Sequence, residues 1–333
     1  MNMRIAVAGA SGYVGGELLR LIAGHPDLDL VAATAHSRAG EPVAAVHPQL
    51  TGIDATLVPT GAAALAGADL VFLALPHGHS AALAAELPDS VRIVDLGADF
   101  RLADATAWGR YYAGPHAGTW TYGLPELPGQ RKRIADSTRV ANTGCYAAAI
   151  TLALAPLIAA GAVAADDVVV VAASGTSGAG RAARAHLVGS EVMGDLSPYA
   201  VGTHRHVPEI KQATGARGLS LTPVLAPMPR GILATVTAAP TGDADPREVL
   251  AAAYADAPFV HLLPPDRWPH TAATAGGNAC HLQATVDRDT GRVIVVSAID
   301  NLGKGAAGQA VQCANLMLGL PEAAGLTAYG VAP

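Results

Sequence analysis

The sequence predicts an α/β domain built on a parallel sheet, followed by an α+β domain with a more antiparallel sheet. The 333 residues suffice for two domains that each bury a core. In the first half, near-continuous apolar strands alternate with helical segments, as in a parallel sheet covered on both faces. In the second half, long strands follow one another without helices between them, which is typical of an α+β pattern.

The first domain is expected to cover residues 1–144. Its strands are predicted at Arg4–Ala8, Leu28–Thr34, Leu70–Leu75 and Val91–Asp95. An amphipathic helix follows the first strand and ends at Gly24 and Pro26. A short Ala-rich helix is predicted at Ser80–Leu87, between the third and fourth strands.

The second domain is expected to cover residues 145–303. Its strands are predicted at Val168–Ala173, Leu219–Leu225, Ile232–Ala239, Ala279–Asp287 and Arg292–Ile299, the last two joined as a hairpin around Gly291. Helices are predicted at Tyr146–Ala160 and Pro246–Tyr254. The segment 304–333 contains a last helix, Lys304–Leu318, which is expected to return to the first domain.

Composition and charge exclude several classes of protein. With 51% hydrophobic and 14% charged residues, the chain is not intrinsically disordered. A net charge of −6, with no basic cluster longer than Arg131-Lys132-Arg133, argues against nucleic-acid binding. The uncharged run over 140–165 is long enough to span a bilayer, but it contains Pro156 and lacks basic or aromatic flanks, so a buried helix is expected. Three cysteines and no visible signal peptide indicate a cytoplasmic protein without a disulfide framework.

A glycine-rich turn follows the first strand and opens the first helix. Gly9 permits a tight turn, Gly12 lets the backbone approach a pyrophosphate, and the helix N-terminus supplies N–H donors. The spacing is G-x-x-G-x-x-G rather than G-x-G-x-x-G, so an ordinary glycine-rich turn is the alternative. We favour a Rossmann-type dinucleotide site whose predicted contacts are Gly9, Ser11, Gly12, Tyr13, Val14 and Gly15.

The end of the second strand indicates which nucleotide binds. An NAD enzyme usually places Asp or Glu there to hold the ribose hydroxyls. This chain has no acid at that point and offers Ser37 and Arg38, which suit a 2′-phosphate. The predicted cofactor is therefore NADP.

Cys145 is the candidate nucleophile, since it lies at a predicted strand-to-helix junction after Gly144. A helix N-terminus favours the thiolate and can stabilise an oxyanion on an attacked carbonyl. A buried, inert thiol is the alternative for any single cysteine, and we expect it for Cys280 and Cys313.

A nucleophilic cysteine needs a base, and the segment 203–209 offers one. In an extended segment, His204 and His206 would point to the same side, and Glu209 could orient one imidazole as in a triad. A polar loop without a catalytic role is equally compatible with these residues.

Two further segments carry phosphate-binding chemistry. Hydroxyls, glycine amides and an arginine occur at 174–181, and a glycine amide and an arginine occur at 96–101; these groups suit a cofactor or a phosphorylated substrate. No P-loop lysine motif appears, so nucleotide triphosphates are not expected. Cysteine and histidine never show zinc-like spacing, so no metal is predicted.

Taken in order, these motifs resemble the N-acetyl-gamma-glutamyl-phosphate reductases of arginine biosynthesis across essentially the whole chain. The matching segments are Gly9–Gly15, Asp99–Arg101, Tyr122–Leu127, Asn142–Cys145, Gly175–Arg181, His204–Glu209, Met228–Gly231 and Asp300–Gly305. The glycine turn and the cysteine are shared with aspartate-semialdehyde dehydrogenases. One departure is Cys313, where the family often has Asn.

The resemblance implies a fold, a partner and a cofactor position. The second domain would be the α+β catalytic and dimerisation domain of the semialdehyde dehydrogenase type, in a homo-oligomer that is a dimer or a tetramer. NADP would lie between the two domains, near Ser174, Gly175 and Asn301. The loop that contains Pro76 would close over the adenine.

The resemblance also implies a chemistry. The Cys145 thiolate would attack a small-molecule acyl phosphate and expel phosphate, and NADPH would then reduce the thioacyl enzyme to an aldehyde. His206, backed by Glu209, is the expected base, although exchanging its role with that of His204 would not contradict the sequence. The predicted substrate contacts are His204, Arg101, which would pair with the phosphate, and Arg230 in the substrate pocket.

Three alternatives remain open at this point. A sibling reductase would act on aspartyl phosphate or on a carrier-linked aminoadipyl phosphate. A non-catalytic NADP-binding sensor predicts that Cys145 has no special reactivity. A Cys–His hydrolase leaves the glycine turn unexplained.

Overall fold

The computed structural model describes residues 2–332, which divide into two compact units. The first unit contains residues 2–143 and 306–326, and the second contains residues 144–305 and 327–332. The strands are β1 (Met3–Ala8), β2 (Leu28–Ala35), β3 (Val58–Pro59), β4 (Leu70–Leu73), β5 (Arg92–Asp95), β6 (Thr121–Gly123), β7 (Arg139–Asn142), β8 (Val163–Ser174), β9 (Ser197–Pro198), β10 (Leu219–Leu225), β11 (Ile232–Pro240), β12 (Val260–Leu262), β13 (Cys280–Val286) and β14 (Val293–Ile299). The helices are α1 (Tyr13–Ala23), α2 (Val43–Val46), α3 (Ala62–Leu65), α4 (Ser80–Glu86), α5 (Ala105–Tyr111), α6 (Gln130–Ala135), α7 (Cys145–Ala159), α8 (Gly189–Val192), α9 (His206–Thr214), α10 (Pro246–Ala253) and α11 (Gly308–Met317).

The first unit contains the predicted parallel sheet. Its strand order is β3-β2-β1-β4-β5-β7-β6, and every neighbouring pair is parallel. Successive residues of β1 enter different hydrophobic clusters, Ile5 and Val7 one and Ala6 and Ala8 the other, so both faces of the sheet are covered. The strand order reverses direction between β1 and β4, which is where open α/β sheets bind ligands.

The second unit contains a mixed sheet in the order β12-β13-β14-β11-β8-β10-β9. The predicted hairpin is confirmed as the antiparallel pair β13–β14, and β8 pairs with β10 in parallel. One face packs on α7, which α9 and α10 cover from the other side, and this explains why α7 is apolar all round. On the opposite face, Val169 and Val171 of β8 are 44% and 48% exposed.

The uncharged run over 140–165 is divided between three elements. It includes the end of β7, the whole of α7 and the beginning of β8. Tyr146–Ala155 of α7 is buried throughout, as a core helix requires. Within residues 2–332, no helix has both the length and the apolar character that a membrane crossing requires.

Two expectations from the sequence are corrected. The segment around His204 and His206 is not extended, because α9 begins at His206 and places Glu209 in its first turn. The last residues do not follow α11 into the first unit: residues 327–332 belong to the second unit. The Asn278 N–H donates to Thr327 O (2.7 Å) and the Val331 N–H donates to Ala275 O (2.8 Å). Such main-chain pairing leaves no periodic signal in a sequence.

Asp95, at the end of β5, is a fully buried carboxylate. Its Oδ1 accepts hydrogen bonds from Ser80 Oγ (2.6 Å) and from the Gly97 N–H (2.8 Å). Burial raises the pKa of Asp95 to about 6, even though both hydrogen bonds oppose the shift. A folded-state pKa above the unfolded one means that this group loses its contribution to stability as the pH rises from about 4 through about 6.

We therefore predict that Asp95→Asn changes how unfolding depends on pH. Between pH 4.5 and 7.5, the free energy of unfolding of the wild type should fall relative to the variant by about 2 kcal/mol, measured by urea denaturation. Asp104→Asn is the control, because Asp104 is an exposed N-cap residue. A gap that stays constant with pH for Asp95→Asn would contradict the prediction.

Candidate active site

Cys145 is the first residue of α7, close to the predicted junction. Its N-cap, Gly144, has φ −73° and ψ 148° and carries no side chain that could occupy the N–H groups of the first turn. These N–H groups and the helix dipole favour negative charge on the sulfur and on an oxyanion formed beside it. The backbone of Gly305 also packs closely against Cys145, because a Cβ at Gly305 would lie 2.9 Å from Cys145 Cβ.

The imidazole of His206 packs against the residue that precedes the cysteine. A Cβ at Gly144 would lie 2.5 Å from His206 Nε2, well inside van der Waals contact, so the ring occupies the space that glycine leaves. Glu209, in the first turn of α9, is buried, and its Oε1 accepts a hydrogen bond of 2.8 Å from the Gly144 N–H. The first turns of α7 and α9 therefore meet at Gly144.

His204 lies beside His206 in a group of four aromatic rings. The two imidazole centroids are 4.8 Å apart, and the rings of Tyr146 and Tyr199 lie 5.2 Å and 5.8 Å from His204. Burial, assisted by the positive charge of Arg205, lowers the pKa of His204 to about 4. His204 Nδ1 accepts a hydrogen bond of 3.2 Å from the His206 N–H, in agreement with a neutral imidazole.

Tyr146 and Tyr199 form a phenol pair; the sequence analysis expected Tyr199 in the substrate pocket around Arg230 but did not place it beside Tyr146. The Tyr199 hydroxyl donates to the Tyr146 hydroxyl over 3.0 Å. Burial raises the pKa of Tyr199 to about 12 and raises that of Tyr146 further, so both are neutral hydrogen-bonding groups at physiological pH. The position of Tyr146 directly after Cys145 was the one available signal, whereas Tyr199 comes from the distant segment after β9.

Arg230 is held by the buried carboxylate of Asp300, close to residues that were predicted to lie near the cofactor. Its Nε lies 2.7 Å from Oδ2 of Asp300, which is fully buried. Asn301 Oδ1 accepts from the Gly231 N–H over 2.7 Å. The backbone of Gly175 packs so tightly against Arg230 that a Cβ would lie 2.7 Å from Arg230 N. Asp300 and Asn301 therefore fix the loop that presents the guanidinium.

Ser174 is the last residue of β8, and Gly175, which follows it, packs against the loop that carries Arg230. Ser174 is buried, and its hydroxyl donates to Gly175 O over 3.2 Å. Asn301 Nδ2 donates to Ser177 Oγ over 2.9 Å, so the glycine-rich turn after β8 is tied to Asn301 as well. The three residues predicted near the cofactor thus lie in one region of the second unit.

The glycine turn of the first unit has the geometry that a dinucleotide site requires. Gly9 has φ +79°, and a Cβ there would lie 2.2 Å from Ala74 O, so only glycine fits. A Cβ at Gly15 would lie 2.3 Å from Gly9 O, which indicates close packing of helix on loop. At Gly12 the nearest atom would be 3.6 Å away, so this position is open to a phosphate, as the cofactor assignment needs. Ser11, Tyr13 and Val14 belong to the same turn.

The other candidates of the first unit have different surroundings. Ser37 and Arg38 follow β2 and are exposed, and Arg38 Nε forms an ion pair of 3.0 Å with Glu41. Pro76 is exposed in the loop after β4. Arg101 is buried, and its Nε and Nη2 donate to the carbonyls of residues 142 and 96 over 2.6 Å and 2.8 Å. Those bonds tie Arg101 to main chain, so its contact with phosphate stays a prediction.

Comparisons with known proteins identify the family of the chain. A semialdehyde dehydrogenase NAD-binding domain matches residues 4–137, and a semialdehyde dehydrogenase dimerisation domain matches residues 145–301. A Salinispora tropica protein named N-acetyl-gamma-glutamyl-phosphate reductase is 75% identical over 333 residues, and the alignment covers the whole of both chains. A Streptomyces coelicolor protein of the same name is 55% identical over 343 residues, again with complete coverage of both.

Solved structures show the same fold at low identity. Aspartate semialdehyde dehydrogenase II of Vibrio cholerae, complexed with ASA, has a TM-score of 0.72 at 16% identity, covering 96% of this chain and 98% of that one. Aspartate semialdehyde dehydrogenase of Candida albicans, with NADP, has a TM-score of 0.71 at 16% identity, covering 96% and 99%. The fold is therefore that of the semialdehyde dehydrogenases.

We predict that Gly144→Ala reduces the reactivity of Cys145, because the added methyl group displaces the His206 ring. Alkylation of Cys145 by iodoacetamide near neutral pH should slow by about tenfold, since the imidazole no longer assists formation of the thiolate. Mass spectrometry of the modified peptide measures the rate. Gly242→Ala is the matched control, because a Cβ there meets no atom within 4 Å. Equal rates in both variants would contradict the proposed contact.

Proposed function

Because the chain belongs to the N-acetyl-gamma-glutamyl-phosphate reductases, we propose that it converts N-acetyl-γ-glutamyl phosphate to N-acetyl-glutamate 5-semialdehyde and phosphate, using NADPH, in arginine biosynthesis. The observation that carries the assignment of the residues is the meeting of Cys145, His206 and Glu209 at Gly144. A thiol at a helix N-terminus, next to an imidazole, is the arrangement that covalent acyl transfer requires.

The first step is formation of a thioester. His206 takes the proton of Cys145, and the thiolate attacks the carbonyl carbon of the acyl phosphate. The first-turn N–H groups of α7 stabilise the oxyanion, whose collapse breaks the carbon–oxygen bond to phosphate and releases it. Glu209 supports this step by fixing the Gly144 amide, and therefore the N-cap of the helix.

The second step reduces the thioester. When bound at the residues named below, NADPH would supply the hydride that the acyl carbon accepts. The same N–H groups of α7 hold the resulting oxyanion, and its collapse expels the Cys145 thiolate and yields the aldehyde. His204 stays neutral, so it can accept or donate a hydrogen bond to the substrate without changing the charge of the site.

Arg230 is the proposed ligand for an anionic group of the substrate. Asp300 holds Nε, and the side chain remains 26% exposed, so the guanidinium is accessible from solvent. NADP is the proposed cofactor, with Gly9, Ser11, Gly12, Tyr13, Val14 and Gly15 at its pyrophosphate and Ser37 and Arg38 at its 2′-phosphate. The other proposed contacts with the cofactor are Pro76, Ser174, Gly175 and Asn301. We also propose that Arg101 binds the phosphate of the substrate.

The exposed sheet face of the second unit is the proposed interface with a second copy of the chain. The matching family model is described as a dimerisation domain, and it covers this whole sheet. Val169 and Val171 form an apolar strip with Thr235 of the neighbouring β11, which lies opposite Val171 in the register. A dimer, or a tetramer built from dimers, would cover these side chains.

We also propose a cytoplasmic location, where a catalytic thiol stays reduced.

The decisive test of the activity is reduction of NADP⁺ by N-acetyl-glutamate 5-semialdehyde, the reverse reaction, with and without phosphate. We expect phosphate-dependent turnover that falls by about a thousandfold or more in Cys145→Ser, which still binds NADP⁺. Cys280→Ser is the control, because Cys280 is buried in β13. Turnover with aspartate semialdehyde but not with the N-acetylated substrate would overturn the proposed substrate. Binding of NADP⁺ without any turnover would favour a sensor.

The pH dependence of kcat/KM should distinguish the two histidines. His204 has a pKa of about 4 and stays neutral in the working range, so His204→Asn should keep the acid limb of the profile, between about pH 5 and 8. His206→Asn should lose that limb, because the proposed general base is gone. If the limb disappears in His204→Asn and persists in His206→Asn, the roles are exchanged.

Val171→Asp should disrupt the dimer, because a carboxylate without a partner is strongly disfavoured in a covered apolar face. Sedimentation velocity would show a shift toward monomer. Val31→Asp is the matched control, since Val31 is 49% exposed in the first unit and Val171 is 48% exposed in the second. Unchanged sedimentation of Val171→Asp would rule out this face as the interface.

A further inference from the structure

The loop Pro76–His79 follows β4 in the first unit, close to the glycine turn. It connects β4 to α4, at the edge where the strand order reverses between β1 and β4. The β4 end touches the glycine turn, as the 2.2 Å approach between a Cβ at Gly9 and Ala74 O shows. A dinucleotide bound at the carboxyl ends of β1 and β4 would therefore contact this loop.

The loop has little apolar burial to hold its shape. All four of its residues are exposed. Gly78 has φ +87°, a conformation that other residues rarely adopt, and a Cβ there would meet no atom within 4 Å. Exposed backbone of this kind keeps one conformation only if polar bonds fix it.

Asp99 supplies those bonds from the segment after β5. Its buried carboxylate accepts three main-chain hydrogen bonds, from the N–H groups of Gly78 (2.7 Å), Ser80 (3.0 Å) and Ala81 (3.1 Å). One side chain thus holds both the loop and the first turn of α4.

Two further hydrogen bonds join the same parts of the chain. The Ala98 N–H donates to His77 Nδ1 over 3.1 Å, and the Ser80 hydroxyl donates to Asp95 Oδ1 over 2.6 Å. Both connect the β4–α4 loop to the segment that carries Asp99. Asp99 bonds to one N–H group of the loop and to two in the first turn of α4, so its carboxylate joins the loop to the start of that helix.

We propose that Asp99 is a positioning residue for NADP binding, which holds the Pro76–His79 loop in its binding conformation before the dinucleotide arrives. The proposal rests on the proposed function, since it takes NADP as the ligand of the first unit. A preformed loop spares the ligand the entropic cost of ordering it. Releasing the loop therefore weakens binding without altering the groups that perform the chemistry.

Asp99→Asn tests this, because an amide cannot accept from three N–H groups and brings its own NH₂ among them. We expect the Kd for NADP⁺, measured by isothermal titration calorimetry, to rise by about tenfold, which corresponds to about 1.4 kcal/mol. In the reverse reaction the KM for NADP⁺ should rise with it, while kcat and the KM for the aldehyde change by less than about threefold. Asp104→Asn is the matched control, since Asp104 caps α5 through one N–H bond to residue 106.

A second variant covers the case in which Asp99→Asn does not fold. Gly78→Ala strains the loop through its positive φ and leaves the buried carboxylate intact, so it should raise the Kd for NADP⁺ as well. Gly129→Ala is its control, because Gly129 also has a positive φ (+71°) and open surroundings but lies at the N-cap of α6.

The outcomes separate this proposal from the proposed function. Wild-type binding of NADP⁺ and phosphate-dependent turnover, with an unchanged Kd in Asp99→Asn and Gly78→Ala, would overturn the positioning role alone. A loss of thermal stability in Asp99→Asn that Asp104→Asn matches, with no change in Kd, would also overturn it. A wild-type protein that does not bind NADP⁺ would instead overturn the proposed function.

Discussion

The candidate active site depends on the close approach of two helix N-termini at one residue without a side chain. Gly144 leaves room for the His206 ring, and its N–H is held by the buried Glu209 carboxylate. The thiol of Cys145 follows immediately, so the nucleophile and the oxyanion donors share one piece of backbone, against which the His206 imidazole packs. A side chain at Gly144 would separate the groups while leaving each of them present.

Buried carboxylates that bind main-chain N–H groups recur through the molecule. Glu209 holds Gly144, Asp99 holds the β4–α4 loop, and Asp300 accepts from the N–H groups of residues 276, 302 and 303 besides pairing with Arg230. A buried charge is tolerated only when it is fully hydrogen-bonded, and each of these charges fixes a loop in return. In a chain with 14% charged residues, the buried acids thus act as local organisers of backbone.

Elements with a strong apolar pattern were predictable, and those determined by contacts were not. Leu219–Leu225 was predicted residue for residue, and α7 begins one residue before its predicted start, because apolar runs bounded by glycine define them. The elements that were missed include the short strands β3, β6, β9 and β12 and the helices α5, α6 and α9. Val207-Pro208 and the surrounding polar residues have no helical periodicity. The helix α9 forms all the same, because its own residues Glu209 and Ile210 are buried in the folded protein.

The sequence by itself determined the family, the order of the two sheets, the glycine turn and the identity of Cys145, His204, His206 and Arg230 as candidates. These follow from local spacing and from the ordered set of motifs. Only the tertiary structure decided that Asp99 binds a loop, that Arg101 donates to main-chain carbonyls, and that Tyr199 reaches Tyr146. The physical reason is that a hydrogen bond between residues far apart in the chain depends on where the backbone carries its donor, which no local pattern of residues specifies.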